Sequence, residues 1–259
     1  MSALDFLRVR LRQGTRTTSF PPEDGALPER FRGRPSFDAA KCTDGCRECV
    51  ARMPSSALRI SADGSVEVDV GASLFSPDEA AACPAGALAF TNDYRVASST
   101  RDGLVSPTGT VALAEALDAA SRRLFGRALR LRQVSAGGCN GCEAELVALG
   151  NVVFDLARFG VQFVASPRHA DGLVITGTVN ANMVGPLRDA WDATPEPRIV
   201  VAIGACAING GPFGGSEEAG TGVPADIPVD LWVPGCPPHP LTVMDGLLRL
   251  LGRVEAGKR

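Results

Sequence analysis

Beyond residue 104, short apolar runs alternate with stretches of helical period. Residues 129–134, 161–165, 172–176, 199–203 and 231–233 are strand-length runs rich in Val, Ile and Leu. Residues 111–125, 143–159, 181–193 and 241–251 space their apolar positions three and four apart, the pattern of helices. Strands separated by helices predict a parallel sheet covered on both faces. In such sheets sites form in the loops that follow the carboxyl ends of the strands.

The first part of the chain reads differently. Leu4, Leu7 and Leu11 share one helical face, and the Pro- and Arg-rich stretch after them predicts an extended arm reaching residue 36, either a loose tail or a segment that docks on a partner or a membrane surface. Residues 37–103 form a small module with an internal echo: Met53-Pro-Ser-Ser-Ala-Leu returns as Cys83-Pro-Ala-Gly-Ala-Leu. Between the copies, Ala62-Asp-Gly-Ser65 is a hairpin turn flanked by alternating Leu58/Ile60 and Val66/Val68/Val70. Residues 97–103 read as a linker to a second domain spanning 104–259. A duplicated unit of this size needs something beyond a hydrophobic core to hold it.

Composition sharpens the picture at one point only. The chain of 259 residues is 45% apolar and 21% charged, ordinary globular usage. Its net charge of −3 gives no basic footprint for nucleic acid, so no nucleic-acid partner is expected. No apolar run has the length of a membrane span, and residues 1–13 lack the apolar core of a secretory signal. Against that background stand eight cysteines and two histidines. In a chain without export, cysteines in this number point to metal or redox chemistry rather than a disulfide framework.

The cysteines fall into two sets. Cys42-Thr-Asp-Gly-Cys46-Arg-Glu-Cys49-Val-Ala-Arg-Met53-Pro is close to the bacterial ferredoxin run C-x2-C-x2-C-x3-C-P, whose fourth cysteine ligates the other cluster of a pair. The first gap is one residue longer here, and Met53 holds the fourth position. In the second copy the ligand positions fall on Ser73, Ser76 and Glu79, and only Cys83 remains. Ligand exchange between copies then assigns Cys42, Cys46, Cys49 and Cys83 to one retained cluster, with the second lost as a unit. Four thiolates also suit tetrahedral zinc. In the C-terminal half, Cys139 and Cys142 of Gly137-Gly-Cys-Asn-Gly-Cys-Glu-Ala-Glu145, Cys206 of Gly204-Ala-Cys-Ala, and Cys236 of Pro234-Gly-Cys-Pro-Pro238 all lie after predicted strand ends. Gly138, Gly141, Gly204 and Gly235 let the backbone approach a bulky inorganic core. Cys142 is placed at a helix N-terminus, where the dipole favours thiolate. Glu143 and Glu145 read as a solvated helix start, with proton handling or a partner contact as the alternative role for Glu145.

These motifs carry a resemblance. Residues from about 105 onward resemble the 20 kDa family of respiratory complex I and the small subunits of related membrane-bound [NiFe] hydrogenases; the spaced pair Cys139-x-x-Cys142 looks more like the hydrogenase and formate hydrogenlyase branch. The N-terminal third, including Pro28-Glu-Arg-Phe-Arg-Gly-Arg-Pro35, is similar to the two-cluster ferredoxin subunit of the same complexes. The resemblance implies a flavodoxin-like α/β domain preceded by a small α+β ferredoxin-like domain. It also implies two [4Fe–4S] clusters and electron transfer toward a large catalytic subunit, either NiFe hydrogenase-like or like the 49 kDa subunit of complex I. Membrane subunits of the same complex are the further partners implied, with the chain peripheral on the cytoplasmic face. Quinone reduction of the complex I type, and a zinc-binding structural subunit, are the alternatives.

Overall fold

A computed structural model describes residues 3–22, 27–42 and 46–254. The lengthened gap between Cys42 and Cys46, residues 43–45, lies outside the described residues. In chain order the elements are α1 (Ala3–Gln13), β1 (Pro35–Phe37), α2 (Glu48–Arg52), β2 (Leu58–Ile60), β3 (Val66–Asp69), α3 (Pro77–Ala81), β4 (Leu88–Phe90) and β5 (Val105–Ser106). There follow α4 (Ala119–Phe125), β6 (Leu129–Ser135), α5 (Gly141–Ala148), β7 (Val161–Phe163), β8 (Gly172–Thr176), α6 (Ala181–Ala193), β9 (Ile199–Ile203), α7 (Gly204–Asn209), β10 (Leu231–Val233) and α8 (Pro240–Leu250).

The C-terminal sheet runs β10-β9-β8-β6-β7 with every pairing parallel. Counted from β6 this is the order 2-1-3-4-5, the flavodoxin-like winding, whose direction reverses between β6 and β8. Side-chain alternation feeds two cores. Leu129, Leu131, Val174, Val201 and Leu231 pack on one face with α5 and α8. Val134, Leu173, Ile175 and Val200 pack on the other against Leu187 of α6. The predicted flavodoxin-like α/β architecture is therefore present, and its five strands lie within a residue or two of the expected runs.

The N-terminal module pairs β1 with β4, and β2 with β3, antiparallel; the second hairpin turns at residues 61–65, where Asp63 Oδ1 accepts from Ser65 N. Two expectations fail here. Residues 97–103 are not a free connection: Ser98 is 1% exposed and exchanges both backbone hydrogen bonds with Trp232 of β10. The strand that follows, β5, pairs with β3 and completes the module's second sheet. The arm after α1 docks on this chain itself. Thr18 N donates to Val153 O, Phe20 packs on Tyr94 and Phe159, and Gly33 N donates to Thr91 O.

Two predicted helices are also shorter than their periodicity. Residues 111–118 form no helix, because their amides serve tertiary partners: Ala112 N donates to Gly103 O, Ala114 N to Ala97 O, and Leu117 N to Leu250 O. Helix begins only where the Asp118 carboxylate caps Ala120 N and Ser121 N. The span 143–159 breaks after α5, where Asn151 Oδ1 accepts from Val153 N and Phe154 N and so competes with the helical ladder.

Candidate metal centre

Strand register builds the C-terminal site. Ser135, Thr176, Ile203 and Val233, the last residues of β6, β8, β9 and β10, are successive register partners across the sheet. The segments that follow three of these ends carry Cys139 in a loop with Cys142 in the first turn of α5, Cys206 in α7, and Cys236 in the loop before α8. All four thiols line one cleft, together with Gly138, Gly141, Gly235 and Pro237. Cys139 and Cys236 are exposed at its mouth, whereas Cys142 and Cys206 are set deeper. None of the eight cysteines is joined in a disulfide.

The glycines are there for room. Gly204 has φ of +87°, and a Cβ on it would lie 2.6 Å from Cys142 Sγ, so any side chain would displace that thiol. A Cβ on Gly235 would lie 2.2 Å from Pro238 Cα. Gly138 packs against the Gly177 backbone, and Gly141 faces Cys139 Sγ and Pro237.

Cys142 does lie in the first turn of α5, but the expected dipole effect on its thiol does not prevail. Burial raises its pKa, and the charges of Glu143, Cys206, Cys236 and Cys139 raise it further. Burial and the charges of Cys236 and Cys139 likewise push Cys206 up to about 11. Four thiolates this close repel one another, so the set is stable in its ionised form only around a compensating cationic core. That donor chemistry fits a metal–sulfur cluster. Among the described residues, no three Cys, His, Asp or Glu side chains converge on a single point as one bound ion requires.

In the N-terminal module, Cys49 and Cys83 are buried and Cys42 packs against the same core. The Cys49 thiol is raised by burial and by the charges of Cys83, Cys42 and Cys46. Cys83 therefore shares one core with Cys42 and Cys49, and Ala87 N donates to Cys83 Sγ at 3.3 Å.

The structure corrects the reading of one of the two carboxylates. Glu143, read as solvated, is 7% exposed, and its Oε1 accepts from Ser135 Oγ and Thr176 Oγ1, each at 2.6 Å. Burial opposes its ionisation, and the Ser135 and Thr176 hydroxyls outweigh it, so its pKa is lowered. The available signal was the hydroxyl at the last position of two adjacent strands. Glu145 lies instead on the wall of a wider cleft, with Cys236, Tyr94 and His239, and burial raises its pKa. Nothing brings Glu145 a hydrogen-bond partner of the kind Glu143 has among the described residues.

A doubly wound parallel sheet with four thiols gathered beside its topological switch point defines a flavodoxin-like protein with a thiolate centre at the sheet edge. The sequence profile of the family described as NADH ubiquinone oxidoreductase, 20 Kd subunit, matches residues 139–250. Probable membrane-bound hydrogenase subunit mbhJ of Pyrococcus furiosus is 41% identical over 134 residues, covering 51% of this chain and 79% of that protein. The NADH-quinone oxidoreductase B subunit of Heliobacterium modesticaldum is 41% identical over 121 residues, 46% of this chain and 69% of its own length. The chain belongs to this family. Formate hydrogenlyase subunit 7 of Escherichia coli (strain K12) is 42% identical over 129 residues, and the match spans about half of each protein, 50% of this chain and 51% of the relative. Among solved structures, the membrane-bound sulfane sulfur reductase, an archaeal respiratory membrane complex, has a chain 31% identical at a TM-score of 0.46, covering 55% of this chain and 78% of its own. The relatives' names place the family among subunits of oxidoreductase complexes. Among the described residues of this chain, no helix is long and apolar enough to cross a membrane.

Proposed function

We propose that this chain is the electron-transfer subunit of a membrane-associated hydrogenase or formate hydrogenlyase-type oxidoreductase complex, carrying two [4Fe–4S] clusters. The observation that carries the reading is the gathering of Cys139, Cys142, Cys206 and Cys236 in one cleft with two of them at the surface. Cys42, Cys46, Cys49 and Cys83 would hold the second cluster. When bound, the clusters supply one-electron redox chemistry. The chain's own residues ligate through thiolate, admit the core through Gly204 and Gly235, and exclude water with Cys142 and Cys206 set beneath the mouth. Glu143 adds a fixed negative charge beside Cys142. The exposed edge at Cys139 and Cys236 is where a large catalytic subunit, NiFe hydrogenase-like or of the complex I 49 kDa type, would receive electrons. Membrane subunits of the same complex would hold the chain at the cytoplasmic face.

Iron and acid-labile sulfide measured on the anaerobically purified chain should each approach about eight per chain, the content of two four-iron cubanes. A value near zero, or zinc without broad visible absorption, overturns the reading in favour of a structural zinc subunit. Quinone chemistry of the complex I type is the second reading, supported by the NADH-quinone oxidoreductase relatives. A large subunit that lacks two C-x-x-C pairs for nickel decides for it.

A further inference from the structure

The arm after α1 docks on this chain, but α1 itself does not. Leu4, Phe6, Leu7 and Leu11 are 53–82% exposed, and every residue from Phe6 to Arg16 is exposed. At about 3.6 residues per turn these four apolar residues fall in one half of the helix circumference, and Asp5, Arg8, Arg12 and Gln13 fall in the other. Arg10 stands among the apolar positions, but its guanidinium folds toward the end of the helix, Nη1 donating to Gly14 O at 2.6 Å. An isolated helix of about 12 residues is marginal in water, and helices owe most of their stability to packing of an apolar face. A helix of 11 residues whose apolar half nothing in the described chain covers is therefore fitted to a surface outside it.

Charge and neighbourhood say what that surface is. Residues 3–16 carry four arginines and one aspartate, in a chain whose net charge is −3. Asp5 approaches Arg8 at 3.9 Å, and among the described residues no carboxylate pairs with Arg10, Arg12 or Arg16. Leucine and phenylalanine on one half with arginine on the other is the composition of a helix lying in the plane of an anionic bilayer, where arginine stems run up to the phosphates. Just past the helix, Thr18 N donates to Val153 O at 2.9 Å, and Arg158 Nη2 donates to Thr18 O at 2.7 Å. The few residues between Gln13 and Thr18 reach at most about 18 Å. The end of α1 therefore stays near Val147, Val152 and Val153, which α5 and the loop after it also leave bare. A second element thus adds apolar surface beside the first, with Arg158 next to it.

We propose that α1 is an interfacial helix that lies on an anionic lipid bilayer, burying Leu4, Phe6, Leu7 and Leu11 at the headgroup boundary while Arg8, Arg12 and Arg16 meet lipid phosphates. The chain then holds the membrane surface through its own residues, in addition to any membrane subunit. This goes beyond the proposed function and requires neither cluster.

The test is flotation of the purified full chain with vesicles of phosphatidylcholine, alone or with phosphatidylglycerol as the anionic lipid. Binding should appear with the anionic vesicles and weaken as salt shortens the reach of charge. Arg8→Gln together with Arg12→Gln should weaken it on the order of twentyfold, since one basic side chain near an anionic surface is worth about fivefold. Leu7→Glu together with Leu11→Glu should abolish it. Leu124→Glu, at an exposed leucine of α4, should leave it unchanged. All these positions are exposed, so none of the variants disturbs the core. No binding by the intact chain, equal binding to neutral vesicles, or loss of binding in Leu124→Glu overturns the proposal. So does a dimer in solution that Leu7→Glu with Leu11→Glu dissolves while vesicle binding persists, because a second copy then covers α1. Any of these results with both clusters present leaves the proposed function standing. Vesicle binding by a chain purified anaerobically without clusters overturns the proposed function alone.

Discussion

Thiolates that share a cleft are a liability until something cationic joins them, and the surrounding residues are arranged around that fact. Gly204 leaves 2.6 Å where a side chain would meet Cys142 Sγ. Gly204→Ala should therefore cost the C-terminal cluster alone, with iron falling from about eight to about four per chain and the N-terminal signal retained. Cys83 lies far from Cys42 in sequence, yet its charge acts on Cys49 more strongly than that of either nearer cysteine. Cys83→Ser should abolish the same resonance signal as Cys42→Ser; loss of different signals would disprove the shared site. The cysteines and their glycines were legible because thiol chemistry and loop geometry leave marks in one dimension. Glu143 was not. Its neighbours Ser135 and Thr176 become neighbours only when β6 and β8 pair, and nothing local distinguishes it from Glu145.

At the scale of elements, α8 shows how a helix next to the thiol cleft is held. It begins directly after the Cys236 loop, capped by His239 Nδ1, which accepts from Leu241 N at 3.2 Å. The imidazole sits edge-on to Phe31 of the arm and Phe154 of the loop after α5. Burial lowers the pKa of His239 below its ordinary 6.5, so the unfolded chain takes up that proton first. Stability contributed by the neutral cap is complete above pH 6.5 and is lost as pH falls from there to the folded-state value. His239→Asn retains a capping acceptor that does not titrate, and should flatten that slope in urea titrations across pH. Further along α8, Asp245 and Arg249 form a buried pair at 2.7 Å, 2% and 3% exposed. Asp245→Ala would leave an uncompensated buried guanidinium and should cost about 3–5 kcal/mol in the same titrations. Parallel strands such as 199–203 could be read from composition because both faces are buried and every position is apolar. The stretch 111–118 could not: its apolar spacing fits a helix, but its amides are claimed by Gly103, Ala97 and Leu250, partners that only the assembled fold supplies.

For the whole molecule, the two halves are joined by more than proximity. The backbone of Ser98 extends the edge of the parallel sheet at Trp232, β5 closes the module's second sheet, and Leu117 N reaches back to Leu250 O. Heating should therefore give coincident transitions by far-ultraviolet circular dichroism and by cluster absorbance; two separated steps would show that the halves unfold independently. The parallel, helix-covered sheet was visible in the sequence, since strand-length and helical runs alternate beyond residue 104. The seam between the halves was not visible, because main-chain hydrogen bonds leave no mark on side-chain composition. That seam also bears on whether the chain can be divided. Were the reading frame cut between residues 103 and 104, the first product would lose the outer strand of a sheet and the second would begin with a strand that has no mate. Each would expose raw backbone ready for unwanted pairing. Halves joined in this way are not free to part without baring unpaired strands, and so are made and degraded as one chain.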